Sequence, residues 1–238
     1  MFRFITKMEY WDIEDSGITA EISGTPYWHL KDIQDAVAYN RLRHSKNQRI
    51  AEIGGGVSRI LPVLAQQNYC VNIDKLEGIG NGPVGARSSP GIVYINAYLG
   101  NTKGYIEDAF FDIVFSISVV EHIDKEYLPA FFADNARIIR PEGLSFHLID
   151  ILCGDKEPSQ WNIERNSITS QEFFKYFTPL SDQIIAPGDS KFSCSYATNP
   201  DNAMNEWNKI VPSAKEQFAA SQSCTLFLAG KKINNHRF

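Results

Sequence analysis

The sequence predicts a single α/β domain built on a doubly wound, mostly parallel sheet, preceded by an N-terminal helical cap. Three observations carry that expectation. From Arg49 onward, short apolar runs alternate with helical stretches, the pattern of repeated βαβ units. The first of these runs ends in three consecutive glycines, Gly54 to Gly56, where such folds turn from their first strand toward a ligand. Finally, 238 residues with 43% hydrophobic and 21% charged content suffice for one sizeable core and leave little room for a second domain.

Residues 1–48 mix aromatic and charged residues without a sheet pattern and read as the cap, with a helix from Leu30 to Asn40 after the Thr25–Pro26 turn signal. Residues 49–238 read as the sheet domain, with insertions at about 151–222. Strands are expected at Arg49 to Ile53, Cys70 to Asp74, Ile92 to Ile95, Asp112 to Ser118, Leu144 to Asp150 and Cys224 to Ala229, with a further short one at Gln183 to Ala186. The clearest helix is Lys125 to Ile139, where Leu128, Phe131, Phe132, Ala136 and Ile139 recur near the helical period before Arg140–Pro141–Glu142–Gly143 stops it. A second is expected at Ser170 to Phe177, capped by Ser170.

A net charge of −5, with Lys and Arg scattered singly, provides no basic stripe and argues against duplex DNA. The N-terminus lacks the apolar core of a secretory signal, and no apolar run approaches the ~20 residues that cross a bilayer. Cys70, Cys153, Cys194 and Cys224 show neither CxxC spacing nor a histidine cluster nearby. The expectation is a cytoplasmic protein with reduced thiols, no metal and no membrane partner. A homo-oligomer is compatible with this composition.

The stretch from Ile50 to Arg59 carries the most chemistry. Glycines let the backbone turn tightly and approach a ligand, and the helix expected to follow would present free amides. Two acids flank this turn. Glu52 ends the first strand, and Asp74, about 20 residues beyond the first glycine, ends the second and is suited to ribose hydroxyls. A carboxylate at Glu52 would repel a diphosphate and favour an ammonium. Arg59 stands where a dinucleotide turn has its third glycine.

With Glu52-Ile53-Gly54-Gly55-Gly56 the chain resembles the class I S-adenosylmethionine-dependent methyltransferases, whose first motif is an acid, any residue, Gly, any residue, Gly. Phe111 to Ile123 is similar to that family's fourth strand and following turn, and Arg137 to Leu144 to the helix end before its fifth strand. Cys224 to Lys232 looks like its last strand. The resemblance implies a Rossmann-like, seven-stranded sheet with an antiparallel last strand. It also implies S-adenosyl-L-methionine as cofactor, bound by Glu52, Gly54, Gly55, Gly56, Asp74, Asn96, Ala97 and Ser116. Asn96–Ala97 stand where the family often has an acid and a small residue near the adenine, and Asp108 is the alternative there.

The implied reaction is methyl transfer to a small-molecule acceptor, such as the hydroxyl of a sugar or secondary metabolite. His122 and Asp150 are the candidate catalytic residues. His122 serves either as a base or only to shape the turn, and Asp150 either binds the acceptor or caps the following loop. His147, in mid-strand, fits an interior histidine better than a catalytic one. Tyr27, Trp28 and His29 are candidates for the acceptor side, although they would equally suit the core of the cap. A non-catalytic regulatory protein keeping the fold, or an NAD-dependent oxidoreductase, are the competing readings.

Overall fold

A computed structural model describes residues 2–5, 9, 12–13, 15–22, 30–78, 82–85, 87–154, 160–180 and 221–234. Its strands are β1 (Phe2–Phe4), β2 (Arg49–Ile53), β3 (Tyr69–Ile73), β4 (Ile92–Ile95), β5 (Phe111–Ile117), β6 (Ile139–Gly154), β7 (Phe177–Pro179) and β8 (Ser221–Lys232). The helices are α1 (Ile18–Ile22), α2 (Leu30–Leu42), α3 (Leu61–Leu64), α4 (Leu128–Ile138) and α5 (Gln160–Phe174), and a 3₁₀ turn covers Val120–His122.

One sheet contains all eight strands in the order β1-β8-β6-β5-β2-β3-β4, with β7 also on β8. β2 pairs in parallel with both β3 and β5, and β3 with β4 and β5 with β6 likewise. β8 runs antiparallel to β6 and to both short strands. Those two share one edge of β8: β1 faces Leu226 to Leu228, and β7 faces Gly230 to Lys232. The sheet therefore has the seven positions the sequence predicted, the outermost being divided between two short segments from distant parts of the chain.

Alternation along the strands separates two cores. Ala51, Ile53, Val114 and Ile149 face Phe131, Phe132 and Phe173 of α4 and α5, whereas Ile50, Phe115, Phe146 and Phe227 face Ala38 and Leu42 of α2. The N-terminal segment joins the sheet through β1 and packs α2 on one face.

Several boundaries differ from the sequence reading, each for a local reason. The Arg140–Gly143 turn lies inside β6, which leaves α4 directly and bulges there: Phe111 pairs with Ile139 and Ile113 with Leu144, and Glu142 takes φ +61. α5 begins at Gln160, ten residues before the expected cap Ser170, and Phe177 belongs to β7. The helix after the glycines is α3, only four residues long and starting at Leu61. The Ser58 hydroxyl accepts the N–H groups of Ile60 (3.2 Å) and Leu61 (3.0 Å). The amides expected at that helix start are therefore partly used within the chain. The expected strand at Gln183 to Ala186 lies outside the described residues.

Candidate active site

Strand order reverses between β2 and β5, since β2 leads to β3 on one side while β5 and β6 lie on the other. In open α/β sheets the crevice at the carboxyl ends of such strands is where ligands bind. The glycine turn sits there. Gly54 has φ +63, and a Cβ on it would lie 2.5 Å from Val119 Cγ2 beyond β5, so only glycine allows this approach. A Cβ on Gly55 would meet Glu52 Cδ and Asn72 Nδ2, both at 2.9 Å.

Glu52 is 5% exposed, and its Oε2 has no hydrogen-bond partner. Asn72, fully buried on β3, donates to Gly56 O at 3.1 Å and leaves its own Oδ1 unpartnered. Two buried acceptors thus face the turn. Burial pushes the Glu52 carboxyl up to about 8, with Asp35 and Asp74 adding to the rise, while the Ser58 hydrogen bond and Arg59 oppose it.

Asp74 is half-buried and binds the turn: its Oδ2 accepts Gly56 N–H at 2.8 Å and its Oδ1 accepts Leu76 N–H at 2.7 Å. Each oxygen retains a second lone pair. Asn96 is exposed just past β4, while Ala97 is buried and donates its N–H to Ile95 O at 3.0 Å. Asp108, the alternative to Asn96, is tied to α4 through Arg137 Nη1 at 2.6 Å.

Ser116 is buried with its side chain turned away from the glycine turn, its Oγ 2.7 Å from His147 Nδ1. Asn135 Nδ2 and Ser145 Oγ lie 3.0 and 3.1 Å from His147 Nε2, so both ring nitrogens are hydrogen-bonded inside the fold. Phe131, Phe132 and Phe173 surround that ring, with centroids 5.7, 5.7 and 5.8 Å away. Burial pushes His147 down to about 3, and it is a neutral interior group.

A second polar group gathers at the ends of β5 and β6. Ser118, at φ +52, donates from Oγ toward Gln34 Oε1 at 2.7 Å and Asp150 Oδ1 at 2.9 Å. Gln34 of α2 donates from Nε2 to Asp150 Oδ1 and, at 3.1 Å, to Thr225 Oγ1. Asp150 is half-buried, whereas Gln34, Ser118 and Thr225 are buried. The His122 side chain is 50% exposed and lies 3.9 Å from Glu121 Oε1. Arg165 of α5 steadies that turn by donating to the carbonyls of Val120, at 2.8 Å, and Ile123. Tyr27, Trp28 and His29 lie outside the described residues.

Sequence reasoning missed Gln34, Asp35 and Ser118. Ser118 was within reach as the last residue of an expected strand at the switch point, but nothing local marks the other two.

Fold and turn together define the class I methyltransferase fold. Residues 51–146 match a family model described as Methyltransferase domain. Phosphoethanolamine N-methyltransferase 2 of Haemonchus contortus, in complex with S-adenosyl-L-methionine, is similar with TM-score 0.54 at 16% identity, covering 84% of this chain and 52% of that one. Its complex with phosphomonomethylethanolamine and S-adenosylhomocysteine gives the same score and identity over 92% and 58%. The cyclopropane synthase MmaA2 of Mycobacterium tuberculosis is similar with TM-score 0.51 at 12% identity over 82% of each chain. These are likenesses of fold, and this chain spans little more than half the length of the first two. No curated protein matches the sequence.

The residues present fit the family's cofactor, S-adenosylmethionine. Its amino-acid tail carries an ammonium whose hydrogen bonds the unpartnered Glu52 and Asn72 oxygens can accept. Among the described residues, no helix is long and apolar enough to cross a membrane.

Proposed function

We propose that this chain transfers a methyl group from S-adenosylmethionine to a small-molecule acceptor, a hydroxyl of a sugar or secondary metabolite, with residues 49–238 as the catalytic unit and residues 1–48 as its cap. The observation that carries this reading is the buried Glu52 oxygen left without a partner beside a turn that only glycine can form. Cys70 is a buried free thiol, in keeping with a cytoplasmic setting.

When bound, the cofactor supplies a methyl group already activated by its sulfonium. The chain's own tasks are then alignment, exclusion of water and handling of the acceptor proton. In this reading Glu52 takes the ammonium, the second lone pairs of Asp74 take ribose hydroxyls, and Asn96 and Ala97 border the adenine. Asp150 is the better candidate to receive the acceptor proton, because its Oδ1 is fixed by Ser118 and Gln34. His122 is the second candidate, its side chain half-exposed in the turn that follows β5. Tyr27, Trp28 and His29 would cover the acceptor.

Titration calorimetry with S-adenosylhomocysteine and with NADH tests the cofactor part. Micromolar binding of the first and none of the second is expected, and the reverse would overturn the proposal. Transfer of labelled methyl from S-adenosylmethionine into a small-molecule metabolite extract tests the activity. Tight cofactor binding without any transfer would instead favour a regulatory protein.

A further inference from the structure

Gln34 is a fully buried amide on the face of α2 that also carries Ala38 and Leu42, which pack on the sheet. An apolar side chain would serve that packing, because a buried amide needs its hydrogen bonds met inside the fold. Its Nε2 donates to Asp150 Oδ1 and, at 3.1 Å, to Thr225 Oγ1, while its Oε1 accepts from Ser118 Oγ at 2.7 Å. A carboxylate accepts and cannot donate, so the amide nitrogen is the end that faces Asp150. Ser118 reaches the same place through a left-handed backbone, φ +52, that a serine adopts at a cost. Its one hydroxyl proton has two acceptors in range, Gln34 Oε1 at 2.7 Å and Asp150 Oδ1 at 2.9 Å, and serves one at a time. The side chains that α2, the end of β5 and β8 bring to this cluster, Gln34, Ser118 and Thr225, are uncharged. Asp35, the residue after Gln34, is engaged with Arg59 Nη2 at 2.5 Å.

We infer that Gln34 and Ser118 are positioning residues for Asp150: Gln34 fixes the orientation of its carboxylate, and the Ser118 hydroxyl turns between its two acceptors as Asp150 gains and loses a proton. This rests on the reading of Asp150 as the group that receives the acceptor proton. While Asp150 is charged, Gln34 and Ser118 both donate to Oδ1, and such charge-assisted bonds hold the carboxylate in one orientation. In the transfer, the acceptor oxygen bonds to the methyl carbon, sulfur keeps the pair of the broken carbon–sulfur bond, and the acceptor proton passes to Asp150. Neutral Asp150 is the weaker acceptor, and the Ser118 proton swings to Gln34 Oε1 with no heavy atom displaced. Asp150, being half-buried, returns its proton to water once the product has left. Gln34 comes from the N-terminal segment, so the acceptor side of the crevice is incomplete without α2.

The test follows labelled methyl from S-adenosylmethionine into a small-molecule metabolite extract across a range of pH. It uses the full chain and its Gln34→Leu, Gln34→Glu, Ser118→Ala and Asp150→Asn variants, with S-adenosylhomocysteine calorimetry on each. Gln34→Leu is expected to slow transfer about tenfold or more and to leave S-adenosylhomocysteine affinity within about twofold. Gln34→Glu keeps the shape but makes two carboxyls share one proton, so the acidic limb of its pH profile should move up by about one unit or more. Ser118→Ala should slow transfer less, since Gln34 still holds Asp150. Equal loss of transfer and cofactor affinity in Gln34→Leu, or an unmoved profile in Gln34→Glu, marks a merely structural role and would overturn the assignment. Should Gln34→Leu fail to fold in a thermal melt, the Gln34→Glu profile decides. Unimpaired transfer by Asp150→Asn removes the reading of Asp150 and this inference with it, whereas a slow Asp150→Asn beside an unimpaired Gln34→Leu overturns the positioning alone. A wild-type chain that binds S-adenosylhomocysteine and transfers nothing defeats both.

Discussion

Two buried carboxylates on opposite faces of the sheet are treated in opposite ways. Asp134 of α4 is 7% exposed and saturated: its Oδ2 accepts from Gly100 N–H at 2.8 Å, Thr102 N–H at 3.1 Å and Thr102 Oγ at 2.6 Å, and its Oδ1 accepts from Arg137 Nε at 2.8 Å. Glu52 is 5% exposed, yet one of its oxygens has no partner and burial holds its carboxyl near 8. Stability alone would favour the first arrangement at both sites, because an unsatisfied buried acceptor costs about 1–3 kcal/mol. The contrast teaches that Asp134 fastens the loop before β5 onto α4, while Glu52 is kept ready for a ligand.

The contrast is broken most strongly at Asp134. Asp134→Ala leaves buried Arg137 with only the exposed Asp108 as counter-charge and strips the partners of Gly100 and Thr102, and is expected to cost about 3–5 kcal/mol in urea unfolding. Glu52→Gln should do the reverse. S-adenosylhomocysteine affinity is expected to fall by roughly 1.5–3 kcal/mol in calorimetry, with no loss of folding stability.

A pH series sharpens the same difference. The folded chain keeps the Glu52 proton up to about pH 8, while the unfolded chain releases it near the ordinary value of 4.5. The folded state therefore binds more protons across that window, and the Glu52 contribution to stability falls as pH rises through it. Subtracting Glu52→Gln unfolding data from wild type should isolate this slope, and identical slopes would contradict it. The smallest effect is expected at Asp108. This residue also pairs with Arg137, but its side chain is 71% exposed, so Asp108→Ala should cost less than about 1 kcal/mol in the same assay.

What could be read in the sequence follows from how local each signal is. β2 and β4 were delimited correctly because Gly54 to Gly56 stop the first and the second is a continuous apolar run, and Glu52 stood out by its place before the glycines. β1 and β7 escaped because three residues carry no periodicity; they become strands only by meeting β8. The early start of α5 was hidden by a polar run, Glu164 to Ser167, with little apolar repeat. The acceptor-edge cluster was illegible for another reason. Gln34 and Asp150 are 116 residues apart, and only the packing of α2 against the end of β6 brings them together. Ser116 shows how alternation decides a role: it shares a face with His147, toward α4, whereas Glu52 shares the opposite face with Ile50.

The divided outer position of the sheet also matters for handling the protein. Trimming a few residues before Ile5 would uncover the backbone of Leu226 to Leu228 while β7 still shields Gly230 to Lys232. The bared half-edge is apolar, and unpaired strand edges invite another chain to add on. Shortened versions of this protein should therefore self-associate before they unfold, and the first four residues are better kept intact than replaced by a tag.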